Sequence, residues 1–188
     1  MAGPLLFITG NRMKAEEVKE ILAGFGIAVE QRSLDIGEIQ EKDAEPVARE
    51  KARHAFSMVK KPLIVEDTGL YIRAMNGYPG TLIKHFFESI GPQGIVDFLK
   101  GKDRSAEAVT VFAYCDPEGR VRTFRGSVSG RISDRVTKGY DFAWDTIFIP
   151  EGYERTYAEI GTAEKNGISQ RRLALESFAK WLKEKGEK

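Results

Sequence analysis

Short apolar runs alternate along the chain with stretches of helical periodicity. The run Leu5–Ile8 is interrupted by Thr9–Asn11, and apolar residues then return at helical spacing. A second run, at 63–65, stops abruptly at the polar residues 66–69. Uninterrupted apolar runs are typical of strands that are covered on both faces, as in α/β folds. The helical positions after the first run are Ala15, Val18, Ile21 and Leu22.

The same pattern predicts the remaining elements. The acidic segment 35–43 has poor periodicity and is predicted to be a loop, as is 163–167 before the last helix. Asp116-Pro117-Glu118-Gly119 is a hairpin signal between two strands. Strands are predicted at 27–33, 63–65, 108–115 and 121–128, and helices from Pro46 to Val59, around 82–89 and 93–99, and through 174–182.

No internal repeat and no linker interrupts this order of elements. We therefore predict a single domain, residues 1–188, of the α/β class. The expected architecture is an elongated mixed β-sheet flanked by helices, in two lobes around a central cleft. Strands that alternate with helices predict parallel pairing, and the hairpin adds antiparallel strands.

Composition and charge narrow the choice of function. The chain is 41% hydrophobic and 30% charged, which is typical of a folded globular protein. Its net charge of +1 argues against binding of a nucleic-acid polymer, because such binding usually needs a strong excess of basic residues. The single Cys115 suits a reducing cytoplasm. No apolar run approaches the roughly 20 residues of a membrane span, and we expect a cytoplasmic protein.

The turn between the first strand and the first helix is the strongest functional signal. A strand that turns through glycine into a helix directs backbone N–H groups and the positive end of the helix at one spot. Such a spot suits phosphate. Lys14 adds a full positive charge in the first helical turn, where a carboxylate is more usual. The turn Thr9–Lys14 therefore predicts a polyphosphate site.

Two carboxylates are candidates for a metal. Asp67 follows a buried run, where α/β proteins place ligands, although Asp before Thr-Gly is also common in ordinary turns. Glu38 lies in the acidic loop, and such a loop is usually only solvated. Mg²⁺ on a nucleotide needs only one or two protein carboxylates, so this pair would suffice. Lys51, beside the apolar stripe of its helix, would reach a phosphate or would simply extend to solvent.

Aromatic residues around position 142 are candidates for a base pocket. Phe142 and Trp144 lie close to Tyr140 in the sequence, beside a glycine. Hydrophobic burial explains most such groups, but aromatic faces also stack on nucleobases. Gln170 and Arg171, at the start of the last helix, would offer hydrogen-bond donors to the same region. Lys165 precedes them and would otherwise be a solvated surface charge.

Taken in order, these segments resemble the inosine/xanthosine triphosphate pyrophosphatase family. The resemblance runs from residue 9 to residue 171 and therefore covers nearly the whole chain. It implies an elongated α/β fold with a central nucleotide-binding cleft, a homodimer, and Mg²⁺ as cofactor. The matching segments are Thr9-Gly-Asn-Arg-Met-Lys14, Val65-Glu-Asp-Thr-Gly-Leu70, Gly77-Tyr-Pro-Gly80, Phe142-Ala-Trp-Asp145, Thr156-Tyr-Ala-Glu159 and the stretch from Lys165 to Arg171.

The resemblance also implies roles for individual residues. Glu38 and Asp67 look like the metal ligands, and Asp67 also looks like the general base for the attacking water. Thr68 stands where the family usually has serine. Gln170 stands where the family commonly has histidine, and it cannot become positively charged. The implied substrate-binding residues are Thr9, Gly10, Asn11, Arg12, Met13, Lys14, Lys51, Thr68, Phe142, Ala143, Trp144, Asp145, Lys165, Gln170 and Arg171.

The implied activity is the hydrolysis of noncanonical purine nucleoside triphosphates, dITP, ITP, XTP and dXTP. The products would be the nucleoside monophosphate and pyrophosphate, after attack of water on the α-phosphorus. One alternative is a pyrophosphatase for other modified nucleotides. A second alternative is a nucleotide-sensing module without catalysis, which would share the phosphate turn but need no metal-bound water.

Overall fold

A computed structural model describes residues 3–138 and 143–186. One seven-stranded mixed sheet carries helices on both faces, as the sequence predicts. The strands are β1 (Leu5–Ile8), β2 (Val29–Arg32), β3 (Leu63–Ile72), β4 (Pro79–Gly80), β5 (Ser105–Cys115), β6 (Val121–Ile132) and β7 (Phe148–Pro150). The helices are α1 (Arg12–Ala23), α2 (Ala44–Val59), α3 (Ile83–Phe98), α4 (Tyr157–Ile160), α5 (Thr162–Ile168) and α6 (Gln170–Gly186), with 3₁₀ turns at Arg73–Met75 and Ala143–Thr146.

The sheet has a short parallel part and a long antiparallel part. Its strand order is β2-β1-β3-β5-β6-β7, and β4 pairs separately with β3. β1 is parallel to both of its neighbours, and its register with β3 covers only Leu6–Leu63 and Phe7–Ile64. β3, β5 and β6 form long antiparallel pairs. Consequently β1 ends where β3 still has most of its length to run.

Three predictions about element boundaries are wrong in an informative way. β3 does not stop at residue 65 but continues to Ile72, because β5 pairs with it over ten positions from Leu63–Cys115 to Ile72–Ala106. Residues 163–167 are helical rather than a loop and form most of α5. The strand predicted at 27–33 is shortened to Val29–Arg32.

Other predictions are confirmed. α2 begins with Pro46 in its first turn and buries its alanine stripe against the sheet. The two helical segments predicted in 82–99 meet within α3 at Gly91, whose φ of 65° breaks the helix just before Pro92. β5 and β6 are joined by the predicted hairpin.

The sheet face that carries α6 has two apolar cores with a polar layer between them. Along β3, Ile64 belongs to the first core, with α1 and α6, and Leu70 belongs to the second, with α3 and α4. Glu66 and Thr68 point to the same face between these two positions, because side chains alternate along a strand. α2 covers a third core on the opposite face. The polar layer therefore separates the apolar interior on this face of the sheet into two cores.

Within residues 3–138 and 143–186, none of the helices combines the length and the apolar character that crossing a bilayer requires.

Candidate functional site

The turn before α1 has the geometry of an anion site. Asn11 caps the helix, since its side-chain oxygen accepts a hydrogen bond from the Lys14 backbone N–H at 3.1 Å. The Asn11 N–H in turn donates to Thr9 Oγ1 at 3.1 Å. Residues 10–13 are exposed, and the first helical turn contains no acidic residue. The positive end of α1 therefore faces solvent without a carboxylate to neutralise it.

The two basic residues of this turn point in different directions. Lys14 Nζ lies 2.9 Å from Glu66 Oε1, so its charge lies over the end of β1. Arg12 is 87% exposed in its side chain and pairs with Glu16 at 2.8 Å, one helical turn further on. The structure thus brings Lys14 into the site, whereas Arg12 lies on the outer surface of α1.

β3 places consecutive carboxylates on opposite faces of the sheet, just beyond the last residue paired with β1. Glu66 faces α1 and α6, and Asp67 faces α2. From α2, Lys51 Nζ donates to the Glu66 carbonyl at 3.0 Å and lies 3.4 Å from Asp67 Oδ1. It also lies 2.8 Å from Glu38 Oε1. Lys51 therefore joins the two predicted metal ligands through one ammonium group.

Asp67 is a buried carboxylate with an unsatisfied oxygen. The residue is only 8% exposed, and its Oδ2 finds no donor within the described ranges. Burial raises the pKa of Asp67 to about 6, and the charges of Lys51 and Lys14 only partly oppose it. The group is ionised at neutral pH, yet it is basic enough to accept a proton from water.

Glu38 is more accessible than Asp67, with 52% of its side chain exposed. Burial acts to raise the pKa of Glu38, but Lys51, Lys14 and Lys84 together hold it below its ordinary value. Lys84, from α3, is therefore a third positive charge that acts on Glu38. Nothing in the sequence distinguishes Lys84 from the other exposed lysines.

Glu38 and Asp67 fit a divalent cation that phosphate oxygens help to bind. Hard cations prefer carboxylate oxygens, and the unpaired Asp67 Oδ2 is such a ligand. No cluster of three or more His, Cys, Asp or Glu side chains suitable for a metal occurs in the part of the chain that the structure describes. The protein by itself therefore offers a partial coordination shell, as is usual where a nucleotide completes it.

A buried network of alternating charges fills the polar layer on the other face. Arg171, 1% exposed, forms a bidentate pair with Glu66, from Nε to Oε2 at 2.6 Å and from Nη2 to Oε1 at 2.9 Å. Its Nη1 donates to Glu17. Glu17 also accepts from Lys165 at 3.0 Å, and Lys165 pairs with Asp145 at 2.6 Å. Lys14 and Asp145 thus lie at the two ends of one chain of ion pairs.

The charges in this network depend strongly on one another. Burial acts to raise the pKa of both Glu66 and Glu17, but Arg171 and the neighbouring lysines hold both pKa values below their usual range. Asp145 is different: burial raises its pKa to about 6 despite the nearby Lys165. Its Oδ1 has no hydrogen-bond donor among the described residues.

The predicted base-binding residues whose burial the structure describes are all buried: Trp144, Asp145, Lys165, Gln170 and Arg171. Trp144 is 4% exposed and packs edge-on against Phe148, with ring centroids 5.7 Å apart, in the second core. Trp144 is therefore enclosed by the second core and does not offer the open face that stacking on a base would need. Phe142 lies outside the described residues, and Ala143 begins a 3₁₀ turn.

The start of α6 holds the remaining predicted contacts. Gln170 is buried and its Oε1 accepts a hydrogen bond from the Tyr157 hydroxyl at 3.2 Å. Lys165 and Arg171 are buried and ion-paired rather than solvated. The Thr68 hydroxyl is engaged within the sheet, donating to the Val109 carbonyl at 2.8 Å. Thr68 therefore contributes to the floor of the site.

Sequence reasoning missed two members of the buried network, Glu17 and Glu66. Glu66 was visible only as the neighbour of Asp67. Glu17 follows Lys14 by three residues and precedes Ile21 by four, so it lies on the inward face of α1. A carboxylate in that apolar stripe is unusual, and this position was the available signal.

The fold and the site define an α/β protein whose first helix begins at an exposed turn without acidic residues and whose third strand carries a buried carboxylate. Comparison with known proteins gives the same class. The Ham1 family model matches residues 5–181. A dITP/XTP pyrophosphatase of Methanopyrus kandleri is 46% identical over 95% of this chain and 96% of its own length. Inosine triphosphate pyrophosphatase 2 of Trypanosoma cruzi is 43% identical, over 89% of this chain and 86% of its own.

Solved structures agree with this match. A HAM1 protein from Coxiella burnetii superimposes with a TM-score of 0.82 at 27% identity, over 96% of this chain and 99% of that one. The chain belongs to the Ham1 family.

Proposed function

We propose that the protein hydrolyses noncanonical purine nucleoside triphosphates, dITP, ITP, XTP and dXTP, to the monophosphate and pyrophosphate. This would remove them from the nucleotide pool of the cytoplasm. The names of the Methanopyrus kandleri and Trypanosoma cruzi relatives support the activity. The observation that carries it is the buried Asp67, which has an unpaired oxygen, contacts Lys51 and feels the charge of Lys14 from the first turn of α1.

The triphosphate would bind across this turn. The N–H groups of residues 10–13 and the positive end of α1 supply fixed partial charges for phosphate oxygens. Lys14, Lys51 and Lys84 would add full positive charges, and all three act on Glu38. Each lysine is paired with a carboxylate here, and substrate phosphates would compete for those ammonium groups. Negative charge that builds on the leaving pyrophosphate would thus be stabilised by groups already in place.

Mg²⁺ is the cofactor that the carboxylates suggest, with Glu38 and Asp67 as its protein ligands. Bound there, it would neutralise phosphate charge and make water more acidic. Asp67 would orient the attacking water and take up its proton, the role of a general base held next to the reacting group. A bond would form between the water oxygen and the α-phosphorus. The bond from the α-phosphorus to the oxygen that bridges the α- and β-phosphates would break, and pyrophosphate would leave with that oxygen and the bonding electrons.

The base would be read at the start of α6. Hypoxanthine and xanthine carry an oxygen at C6, where adenine carries an amine donor. The Tyr157 hydroxyl donates to the side-chain oxygen of Gln170, Oε1. The side-chain NH₂ group of Gln170 is therefore the part left to act as a donor. An adenine amine would leave that donor unpaired, and such mismatches in a buried site are strongly disfavoured. Arg171, held by Glu66, would fix the position of this turn.

A turnover panel tests the function. Pyrophosphate release should be at least about 10²-fold faster, as kcat/KM, for dITP and XTP than for dATP. EDTA should abolish release. Equal kcat/KM for dITP and dATP would contradict the selectivity. Preference for modified pyrimidine nucleotides would indicate the alternative pyrophosphatase, and binding of ITP without any release would indicate a sensing module.

We also propose that the protein acts as a homodimer, as the family resemblance implies. Sedimentation equilibrium should then give a mass twice the 21.0 kDa of one chain. A mass of one chain at assay concentration would contradict this.

A further inference from the structure

Three adjacent strands place small residues side by side at the level of the site. Thr68 of β3 is opposite Thr110 of β5, and Thr110 is opposite Gly126 of β6. The two threonine hydroxyls lie 2.9 Å apart and bond to each other. The third position of this row has no side chain at all. Gly126 is nevertheless buried, so another element must cover it.

The first turn of α6 lies directly on Gly126. A Cβ atom at this position would lie 2.1 Å from the Gln170 carbonyl oxygen and 2.5 Å from the Ala174 backbone nitrogen. Both are backbone atoms of a helix, so no change of rotamer relieves the contact. The φ of Gly126 is not in the left-handed region, so alanine could adopt this backbone conformation. Glycine is therefore required here for space rather than for backbone shape.

The helix turn seated on Gly126 is the one that carries the proposed base contacts. Gln170 and Arg171 are its first two residues. Arg171 reaches Glu66 through a bidentate pair with distances of 2.6 and 2.9 Å, and such a pair tolerates little displacement. An alanine at position 126 would push the turn outward by about 1 Å, and misplacement of that size can lower a rate by about 10²-fold.

We propose that Gly126 is a positioning residue that sets base selectivity. It allows α6 to approach β6 closely enough for Gln170 to meet the purine C6 position. The inference rests on the proposed function, in which the Gln170–Arg171 turn reads the base. It does not concern the phosphate end of the site, which is built on α1, α2 and β3.

The test compares Gly126→Ala with Gly167→Ala. Gly167 lies in α5 near the same turn, its φ is not left-handed, and a Cβ there would meet no atom within 4 Å. We expect Gly126→Ala to lower the kcat/KM ratio of ITP over ATP by about 10-fold or more, mainly through the KM for ITP. Product inhibition by pyrophosphate should change much less than this ratio, because the phosphate end is built on α1 and α2 and meets this turn only through Glu66. Gly167→Ala should match the unmodified protein in both measurements.

The outcomes separate this inference from the proposed function. An unmodified protein that does not discriminate ITP from ATP would refute the function itself. A folded Gly126→Ala protein with an unchanged ITP/ATP ratio, or with equally weakened pyrophosphate inhibition, would refute only the role of Gly126. A Gly126→Ala protein that fails to fold would also overturn the assignment, since the contact would then be a requirement of the fold.

Discussion

Asp67→Asn should lose turnover of ITP by about 10²–10⁴-fold, the range expected when a general base is removed. Asparagine keeps the size of the side chain but cannot take up the proton of the attacking water. It also cannot supply the carboxylate that we assign to the metal. Pyrophosphate release under saturating Mg²⁺ measures the loss, and turnover near that of the unmodified protein would rule out both roles.

The same substitution should make the folded protein more stable at neutral pH. The pKa of Asp67 is raised from 3.8 to about 6 in the folded state. Below pH 3.8 the folded and unfolded carboxyls are both protonated, and the stability present there is lost as pH rises through about 6. Asparagine resembles the protonated acid, so its free energy of unfolding should exceed that of the unmodified protein by up to about 3 kcal/mol at pH 8.

Urea unfolding at pH 8 and pH 4 tests whether Asp67→Asn raises the free energy of unfolding. The advantage of Asp67→Asn should shrink to less than about 1 kcal/mol at pH 4, because the unmodified Asp67 then takes up its proton in the folded state. Asp116→Asn is the matched control. Asp116 is also buried, but Arg120 holds its pKa below the usual value, so this variant should lose stability and keep its turnover. An Asp67→Asn protein that is less stable than the unmodified protein would show that burial does not disfavour the ionised carboxylate of Asp67 in the folded state.

The two parts of the site on either side of β3 could be predicted from the sequence to different extents. The turn Thr9–Lys14 is a local feature, since the strand, glycine and helix are adjacent in the chain, and its position was predictable. The proximity of Asp67 to this turn was expected for the wrong reason. Asp67 does not follow the end of its own strand but lies within it, beyond the end of β1. The continuation of β3 depends on β5, about forty residues away, which periodicity within β3 does not reveal.

The base end of the site depends on long-range pairing and was therefore harder to foresee. Lys165 looks like a solvated charge in the sequence and Arg171 like a hydrogen-bond donor for the base, yet both are buried against Glu17, a residue of α1. Whether a lysine is solvated or buried depends on its partner, and this partner lies more than 140 positions earlier in the chain. Trp144 was ambiguous between core and binding surface, and the packing of the second core decides its placement.

Arg171→Met should be the most destabilising change in the buried network. It leaves Glu66 and Glu17 in the interior without their main partner, and such uncompensated charges typically cost about 3–5 kcal/mol. Arg172→Met is the matched control on the next residue. Arg172 pairs with Glu176 within one helical turn at the surface, so its loss should cost less than about 1 kcal/mol. Urea unfolding at pH 7 measures both variants.

The pH dependence and a double-mutant cycle show whether charge is the cause. Arg171 holds the pKa values of Glu66 and Glu17 below 4.5, so the stability that they contribute is present above pH 4.5 and lost as pH falls through their folded values. The penalty of Arg171→Met should therefore shrink toward pH 4, where the orphaned carboxyls take up protons. Adding Glu66→Gln should recover about 1–3 kcal/mol at pH 7, because one buried charge disappears. Additive losses in the double variant would instead mean that Arg171 stabilises the domain by packing alone.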